Sequence, residues 1–277
     1  MRLRSLLFVP GDRPDRVEKA VGTGADAVIL DLEDSVALGQ KALAREEVSA
    51  FLKTSKRSAR LFVRVNAFDS GMFDDDLSAI LSGNPDALVL PKAEGAASVS
   101  RLSSLAGPIP ILPIATETPA AIFELGSYAA VRDSLIGLTW GAEDLPAAIG
   151  ASRSRDADGK LTPPYEMVRA LTLFGAHAAG TLAIETVYPD FRDAGGLERY
   201  VLNARRDGFT GMMAIHPSQV PIINKAFLPT AEEVLRAREI VGAFEAEPDK
   251  GVLQIDGKMV DRPHLKQAQR ILKMIEE

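Results

Sequence analysis

Two acidic residues, Glu117 and Asp144, each follow a short apolar run, at residues 109–115 and 135–140. The two runs are one strand–helix unit apart, and in a parallel α/β protein the carboxyl ends of neighbouring strands meet at one face. Mg²⁺ binds one or two protein carboxylates and completes its octahedron with water and substrate oxygens. The pair therefore predicts a magnesium site, although each acid taken singly is equally explained as a helix cap or first-turn acid.

Short apolar runs recur eight times, and most are continuous rather than alternating, as in parallel strands that are buried on both faces. They lie at residues 5–9, 27–30, 61–63, 87–90, 111–115, 135–139, 182–184 and 212–215. Helix-like stretches alternate with them at residues 13–21, 40–52, 97–105, 119–128, 167–179, 197–206 and 230–246. This alternation predicts an α/β fold, a (β/α)₈ TIM barrel over residues 1–246.

Residues 247–277 are not needed to close such a barrel. Asp256 and Gly257, with apolar residues on both sides, predict a β-hairpin, and a helix is expected from about residue 263 to 275. We therefore predict a C-terminal hairpin-plus-helix lid extension over residues 247–277.

Titratable groups stand at most of the predicted strand ends. Glu33 and Asp34 follow the second strand, Arg64 follows the third and Lys92 the fourth. A ring of acids with an arginine and a lysine indicates an anionic substrate that is chelated to a metal. Arg64 could instead be a structural partner of Asp31 or Glu33. Lys92 could be the Schiff-base amine of a class I aldolase, although neighbouring acids are expected to raise its pKa.

The composition excludes several classes of partner. The 38 acidic and 32 basic residues give a formal charge of −6 without any block of like charge, so nucleic acid is not expected as a partner. No apolar window approaches the roughly 20 residues of a membrane helix. Cysteine is absent and histidine occurs three times, which disfavours thiolate or multi-histidine metal sites and is compatible with a cytoplasmic protein.

A series of motifs on successive strand ends carries a family resemblance. They are SLLFVPGDR (5–13), LDLEDSV (30–36), VRVN (63–66), LPK (90–92), ET (117–118), GAEDL (141–145), VYPDF (187–191) and AIHPSQV (214–220). In this order they closely resemble the citrate lyase β-subunit-like family of the HpcH/HpaI aldolase superfamily, which includes malyl-CoA and citramalyl-CoA lyases.

The resemblance implies a Mg²⁺-dependent carbon–carbon lyase of the oxo-acid lyase type. Such an enzyme cleaves a 3-hydroxyacyl-CoA thioester, such as malyl-CoA or citramalyl-CoA, to an acyl-CoA and an α-keto acid, or condenses these two products. Glu117 and Asp144 match the family's metal ligands, with Glu117 also facing the substrate, and Arg64 matches the arginine that binds the keto acid. Glu33 and Asp34 are further catalytic candidates. The positions that match the coenzyme A contacts are Phe8, Arg13, Lys19, Ile215 and His216.

The tail sequence GKMVD (257–261) resembles that of relatives whose C-terminal lid delivers a catalytic aspartate, often into a neighbouring subunit. This implies that Asp261 is the acid/base and that the protein is a homo-oligomer, a trimer or a hexamer. The alternative for Asp261 is an N-cap of the helix that follows.

Three other activities stay open: a malyl-CoA thioesterase, a citrate lyase β subunit that works in a complex, and a free-aldehyde pyruvate aldolase. The last is disfavoured because Asp34 stands where pyruvate aldolases of the superfamily have a histidine. Two departures from the closer family are Thr116, where isoleucine is usual, and the Pro-Tyr-Glu sequence around Tyr165, which we expect to bear on substrate choice.

Overall fold

The computed structural model describes residues 2–53 and 59–276. The chain divides into two compact units, Leu3–Asn224 and a second unit that begins at Lys225. The sequence placed the domain boundary near residue 246. The compact units divide earlier because the helix at 231–246 packs against the C-terminal helix. The assignment of residues 1–246 as the catalytic domain stays a prediction.

The first unit is a barrel of parallel strands, as the sequence predicts. In the described residues its eight strands follow one another in space in the order β5-β4-β3-β2-β1-β8-β7-β6. Their bounds are β1 Ser5–Pro10, β2 Ala27–Asp31, β3 Arg60–Arg64, β4 Ala87–Leu90, β5 Ile111–Pro113, β6 Leu138–Thr139, β7 Ala183–Glu185 and β8 Gly211–Ala214.

The ring closes between β5 and β6, the two strands at the ends of that order. No continuous ladder joins them in the described part of the chain. Two isolated parallel bridges do so, Ile111 with Leu135 and Ile114 with Thr139. The main-chain N–H of Ala115 donates to Thr139 O at 2.9 Å, and that of Ile136 donates to Ile111 O at 3.0 Å.

The interior of the barrel explains the continuous apolar runs. All five residues of β2 and all four of β4 are buried, as expected for strands that are covered on one face by helices and on the other by the barrel core. Side chains from most of the strands form one inner cluster, which includes Leu6, Ile29, Phe62, Val89 and Leu112.

Helices connect the strands. Those of the first unit are α1 Pro14–Val21, α2 Lys41–Leu52, α3 Phe73–Ile80, α4 Gly95–Ala106, α5 Pro119–Phe123, α6 Asp144–Ile149, α7 Pro163–Ala179 and α8 Ala194–Asp207, with α9 Gln219–Ala226 at the boundary of the two units. Short 3₁₀ helices cover Leu38–Gln40, Leu81–Gly83 and Leu125–Ser134. The sequence did not predict α3, α6 or α9, and the single helix that it predicted at 119–128 is α5 followed by 3₁₀ structure.

The second unit contains α10 Ala231–Ala246, the hairpin of β9 Val252–Ile255 and β10 Lys258–Asp261, and α11 Arg262–Glu276. The predicted hairpin turn is confirmed: Asp256 and Gly257 have φ of 51° and 76°, the left-handed conformations that a tight hairpin requires. Phe244, Leu253 and Val260 form the small core of this unit. None of the described helices is long and apolar enough to span a membrane.

Candidate active site

The carboxyl ends of the barrel strands surround a cavity of about 230 Å³. The residues that line it lie in the strands or in the segments that follow them, which is the usual place for chemistry in such barrels. They are Phe8, Asp31, Asp34, Ser35, Arg64, Ile114, Glu117, Gly141, Ala142, Glu143, Asp144, Thr186, Val187, Met213 and Ile215. The cavity thus contains both predicted metal ligands and Arg64.

Glu117 lies at the end of the β5 segment and is only 4% exposed. Its Oε2 accepts a hydrogen bond of 2.6 Å from the main-chain N–H of Lys92. Burial, to which the charges of Asp144 and Glu33 add, raises the pKa of Glu117 to about 8. The cap of α5 is Thr118, whose hydroxyl accepts from Ala121 N, so Glu117 is not the helix cap.

Asp144 is the first residue of α6, and its side chain is 34% exposed. The loop before it contains Gly141, where a Cβ would lie 2.7 Å from Glu117 Cγ and 3.1 Å from Glu117 Oε1. Only glycine therefore leaves the carboxylate of Glu117 in place. The buried hydroxyl of Thr116 accepts from Gly141 N at 3.1 Å and donates to Gly141 O at 3.3 Å, which ties the two strand ends together.

Arg64 is fixed by two acids of the β2 segment. Its Nε and Nη2 each donate to Asp31 at 2.7 Å, and its Nη1 lies 2.9 Å from Glu33 Oε2. Burial alone would raise the pKa of Asp31, but Arg64 outweighs it and lowers that pKa. Burial raises the pKa of Glu33 despite Arg64. The guanidinium also lies over the ring of Phe8, 4.9 Å from its centroid. Arg64 is therefore both a structural partner and a cation at the cavity.

Lys92 lies among the acids of three strand ends. Its Nζ lies 3.1 Å from Glu33 Oε1 and 3.8 Å from Asp144 Oδ1, while its main-chain N–H binds Glu117. Burial would lower the pKa of Lys92, but Glu33, Asp144 and Glu117 together raise it, as expected. A charged amine is a poor Schiff-base nucleophile. The residue has φ of 51°, a left-handed conformation that is uncommon for a lysine.

The positions matched to coenzyme A fall into two groups. Phe8 and Ile215 line the cavity, whereas Arg13 and Lys19 are exposed on α1 and its N-terminal side. Arg13 is paired with Asp15, at 3.2 Å between Nε and Oδ1. His216 stacks on Phe191 with 4.7 Å between ring centroids and shares a hydrogen bond with Ser218. Asp34 is exposed and lines the cavity.

Asp261 belongs to the second unit, at the junction of β10 and α11. Its carboxylate is in contact with the His264 ring, whose hydrogen bond lowers the pKa of Asp261. It also accepts a long hydrogen bond of 3.5 Å from His264 N, as an N-cap would. Tyr165, in the first turn of α7, is 1% exposed and its hydroxyl has no hydrogen-bond partner.

The donor set suits Mg²⁺. Two carboxylates, Glu117 and Asp144, face one cavity, and burial raises the pKa of Glu117 despite the hydrogen bond from Lys92 and the charge of Arg64. Among the described residues, no group of three or more His, Cys, Asp or Glu side chains is arranged to hold a metal. A magnesium site with few protein ligands and several open positions is consistent with that finding.

A parallel barrel with a carboxylate pair and a fixed arginine at its catalytic face defines an enzyme that acts on an oxygen-rich anionic substrate. The comparison with known families is more specific. The chain belongs to the HpcH/HpaI aldolase/citrate lyase family, whose model matches residues 4–217. The resemblance found in the sequence motifs is thereby confirmed.

Curated relatives match almost the whole chain. A citrate lyase subunit beta-like protein of Mycobacterium tuberculosis is 38% identical, over 96% of this chain and 93% of the relative. A (3S)-malyl-CoA thioesterase of Cereibacter sphaeroides is 33% identical, over 97% and 93%. The mitochondrial citramalyl-CoA lyase of Rattus norvegicus is 32% identical, over 97% and 85%. The family includes carbon–carbon lyases.

Solved structures confirm the fold. The crystal structure of CitE from Mycobacterium tuberculosis, in complex with magnesium, acetoacetate and coenzyme A, superposes with a TM-score of 0.88 at 38% identity. The match covers 99% of this chain and 98% of that one. It includes the C-terminal region, so the barrel and the hairpin-plus-helix extension each have a counterpart in this relative.

Proposed function

We propose that this protein is a Mg²⁺-dependent carbon–carbon lyase that cleaves a 3-hydroxyacyl-CoA thioester, such as malyl-CoA or citramalyl-CoA, to an acyl-CoA and an α-keto acid, or condenses the two. The observation that carries the proposal is one cavity that contains the Glu117 and Asp144 carboxylates beside Arg64, itself fixed by two acids. The magnesium and coenzyme A bound by the CitE relative support it.

The residues of the cavity match the needs of the cleavage. The hydroxyl of the substrate loses its proton, the adjacent carbon–carbon bond breaks, and its electron pair forms the enolate of the thioester. The enolate then takes up one proton at its α-carbon and becomes the acyl-CoA. Mg²⁺ held by Glu117 and Asp144 would polarise substrate oxygens as a Lewis acid. Arg64 has five N–H groups, of which two donate to Asp31, while Nη1 lies in ion-pair contact with Glu33. N–H groups therefore remain for an anionic oxygen of the substrate.

Proton transfer requires an acid/base, and we assign this role to Asp261, with Glu33 and Asp34 as further candidates at the β2 end. An aspartate side chain is ionised at neutral pH, as a base for the hydroxyl proton must be. In the condensation direction the same group returns the proton. Lys92, in contact with Glu33, keeps a positive charge beside that acid.

We assign coenzyme A to the side of the cavity formed by Phe8 and Ile215, with His216 beside it. The exposed cations Arg13 and Lys19 suit its phosphates. The small volume of the cavity suits the acyl end of the thioester, while the nucleotide end would lie outside it.

We further propose that the protein is a cytoplasmic homo-oligomer, a trimer or a hexamer. The absence of cysteine is consistent with a reducing compartment. Three apolar side chains at helical spacing on α7, Met167, Leu171 and Phe174, are 56%, 38% and 66% exposed. An apolar stripe of this kind on one helix supports self-association. Light scattering coupled to size exclusion measures the oligomer directly.

The test is an assay of the isolated protein with malyl-, citramalyl- and citryl-CoA, with Mg²⁺ and with a chelator. We expect release of an α-keto acid together with an acyl-CoA, only when Mg²⁺ is present. Turnover of none of these thioesters by the folded, Mg²⁺-loaded protein would contradict the proposal. Turnover by the chain alone would also exclude a citrate lyase β subunit that depends on partner chains.

A second candidate function is hydrolysis of malyl-CoA, which the thioesterase relative from Cereibacter sphaeroides supports. It would use the same cavity with water as the nucleophile on the thioester carbonyl. Product analysis separates the two reactions, since the lyase gives a keto acid and an acyl-CoA, whereas the thioesterase gives free malate and coenzyme A.

A further inference from the structure

Behind the active-site face lies a buried polar network centred on Lys41, the first residue of α2. We infer that Lys41 is a positioning residue for the lyase site: it fixes the main chain that follows β2, and through it the side chains of Glu33 and Arg64. This inference rests on the proposed function, because it assigns Lys41 a role in the same reaction. No direct contact between Lys41 and the substrate is involved.

Lys41 is only 8% exposed, and its ammonium group uses all three of its donors. It donates to Leu32 O at 2.6 Å, to Glu33 O at 2.7 Å and to Asn66 Oδ1 at 2.8 Å. Two of the three acceptors are thus main-chain carbonyls of the segment that bears Glu33. Burying a charged lysine is costly unless its donors are satisfied. Here the ammonium binds two carbonyls and an amide oxygen rather than a carboxylate, and so stabilises the conformation of the loop.

The network continues through Asn66 to Asp76 on α3. Asn66 is 2% exposed, and its Nδ2 donates to Leu32 O at 2.8 Å and to Asp76 Oδ2 at 2.6 Å. Asp76 is fully buried, also accepts from Asn66 N, and pairs with Arg45 Nε at 2.7 Å. Two helices and the end of β3 therefore hold the ammonium of Lys41 and its acceptors in place.

The other side of the same segment carries the site. The main-chain N–H of Glu33 donates to Asp31 Oδ1 at 2.9 Å, and Asp31 and Glu33 together orient Arg64. In residues 31–33, Lys41 therefore binds the main-chain carbonyls of Leu32 and Glu33, while Arg64 pairs with the side chains of Asp31 and Glu33. Without Lys41, the carbonyl of Glu33 keeps only its hydrogen bond of 3.0 Å from Val36 N, and that of Leu32 keeps only the one from Asn66. The segment is then held less tightly, and a small shift of it moves Arg64 as well.

The experiment compares Lys41→Met with Arg4→Met. The control removes the ion pair of Arg4 with Asp26, 2.9 Å apart and 12% exposed on each side, at the opposite, N-terminal end of β1. It therefore lowers stability without touching the site. Thermal melting, kcat, KM and the Mg²⁺ dissociation constant by calorimetry are measured for both variants and the wild type, at a temperature where all three are folded.

We expect Lys41→Met to lower kcat by about 10- to 100-fold, because small misplacements of catalytic groups have effects of that size. Mg²⁺ affinity should stay within about twofold, since Glu117 and Asp144 stand on other strand ends. Arg4→Met should lower the melting temperature with kcat unchanged. An unchanged kcat in Lys41→Met, with only a lower melting temperature, would reduce Lys41 to a stabilising residue and overturn the inference.

A chemical rescue sharpens the test, because the protein has no cysteine. Lys41→Cys, alkylated with 2-bromoethylamine in urea and refolded, regains an ammonium on a side chain of nearly the same length. Wild type taken through the same steps is the control. Recovery of kcat supports positioning by the ammonium, whereas no recovery in the refolded, fully alkylated protein contradicts it.

Two further measurements cover other outcomes. If Lys41→Met does not fold, Asp76→Asn weakens the same network with little change of shape, and an unchanged kcat in that variant overturns the inference. A crystal structure of whichever variant folds shows whether the contact between Arg64 Nη1 and Glu33 is displaced. This readout does not depend on turnover, so it separates failure of the positioning role from failure of the proposed lyase function.

Discussion

A methyl group at Gly141 tests the metal-ligand role of Glu117 more sharply than removal of the acid would. In Gly141→Ala the new Cβ would lie 2.7 Å from Glu117 Cγ, whereas ordinary contact begins near 3.4 Å. The two carbons must therefore separate by roughly 0.7 Å. Because Glu117 is buried and held by the Lys92 N–H, part of this shift falls on its carboxylate. All titratable groups remain present.

We expect Gly141→Ala to lower kcat/KM by about 10- to 100-fold, as a displacement approaching 1 Å does at other active sites. The Mg²⁺ dissociation constant should rise, and overpacking should cost about 1–3 kcal/mol of unfolding free energy. The matched control is Gly126→Ala, where nothing lies within 4 Å of the added Cβ. Wild-type kcat/KM and Mg²⁺ affinity in a folded Gly141→Ala protein would refute the reasoning.

Three further predictions concern protons and the link between the strand ends. Because the pKa of Glu117 is raised to about 8 without metal, a proton competes with Mg²⁺ below that pH. The apparent association constant, measured by calorimetry, should rise up to about tenfold per pH unit toward pH 8 and then level off, and Glu117→Gln should abolish this slope. Asp261→Asn should leave Mg²⁺ affinity unchanged and lower kcat by about 10²-fold or more, whereas full activity would reduce Asp261 to a helix cap. Thr116→Val should lower the free energy of unfolding by about 1–3 kcal/mol in urea titrations, because it leaves both main-chain groups of Gly141 without their buried partner. No loss of stability in that variant would contradict a tie between the two strand ends.

The strands and the face that bears the site follow from simple regularities in the sequence. Strands buried on both faces need continuous apolar runs, and a parallel barrel brings every strand end to one side. Glu117, Asp144 and Arg64 could therefore be placed together before any coordinates were known. The helix α3 was missed because its first turn, with Asp74, Asp75 and Asp76, reads as a polar loop. Its acids are favoured there by the helix dipole, and Asp76 is buried against Arg45.

The supporting residues could not be found in the same way. Lys92 acts through a left-handed backbone conformation, which the sequence does not indicate for a lysine. Lys41 begins α2 and reads as an ordinary surface charge, yet its three acceptors come from residues up to 25 positions away. Thr116 is a departure from the family pattern whose partner, Gly141, lies on the next strand end. Such contacts depend on tertiary packing rather than on local pattern.

The incomplete ladder between β5 and β6 has a consequence for ligand binding. Glu117 follows one of these strands and Asp144 the other, so a cation shared by the two acids would join the barrel across the junction that has no continuous ladder among the described residues. Local opening of the barrel and release of the metal would then be one coupled equilibrium. Amide hydrogen exchange at Ala115 and Ile136, the donors across this junction, should slow when Mg²⁺ binds, while exchange in β2 stays unchanged.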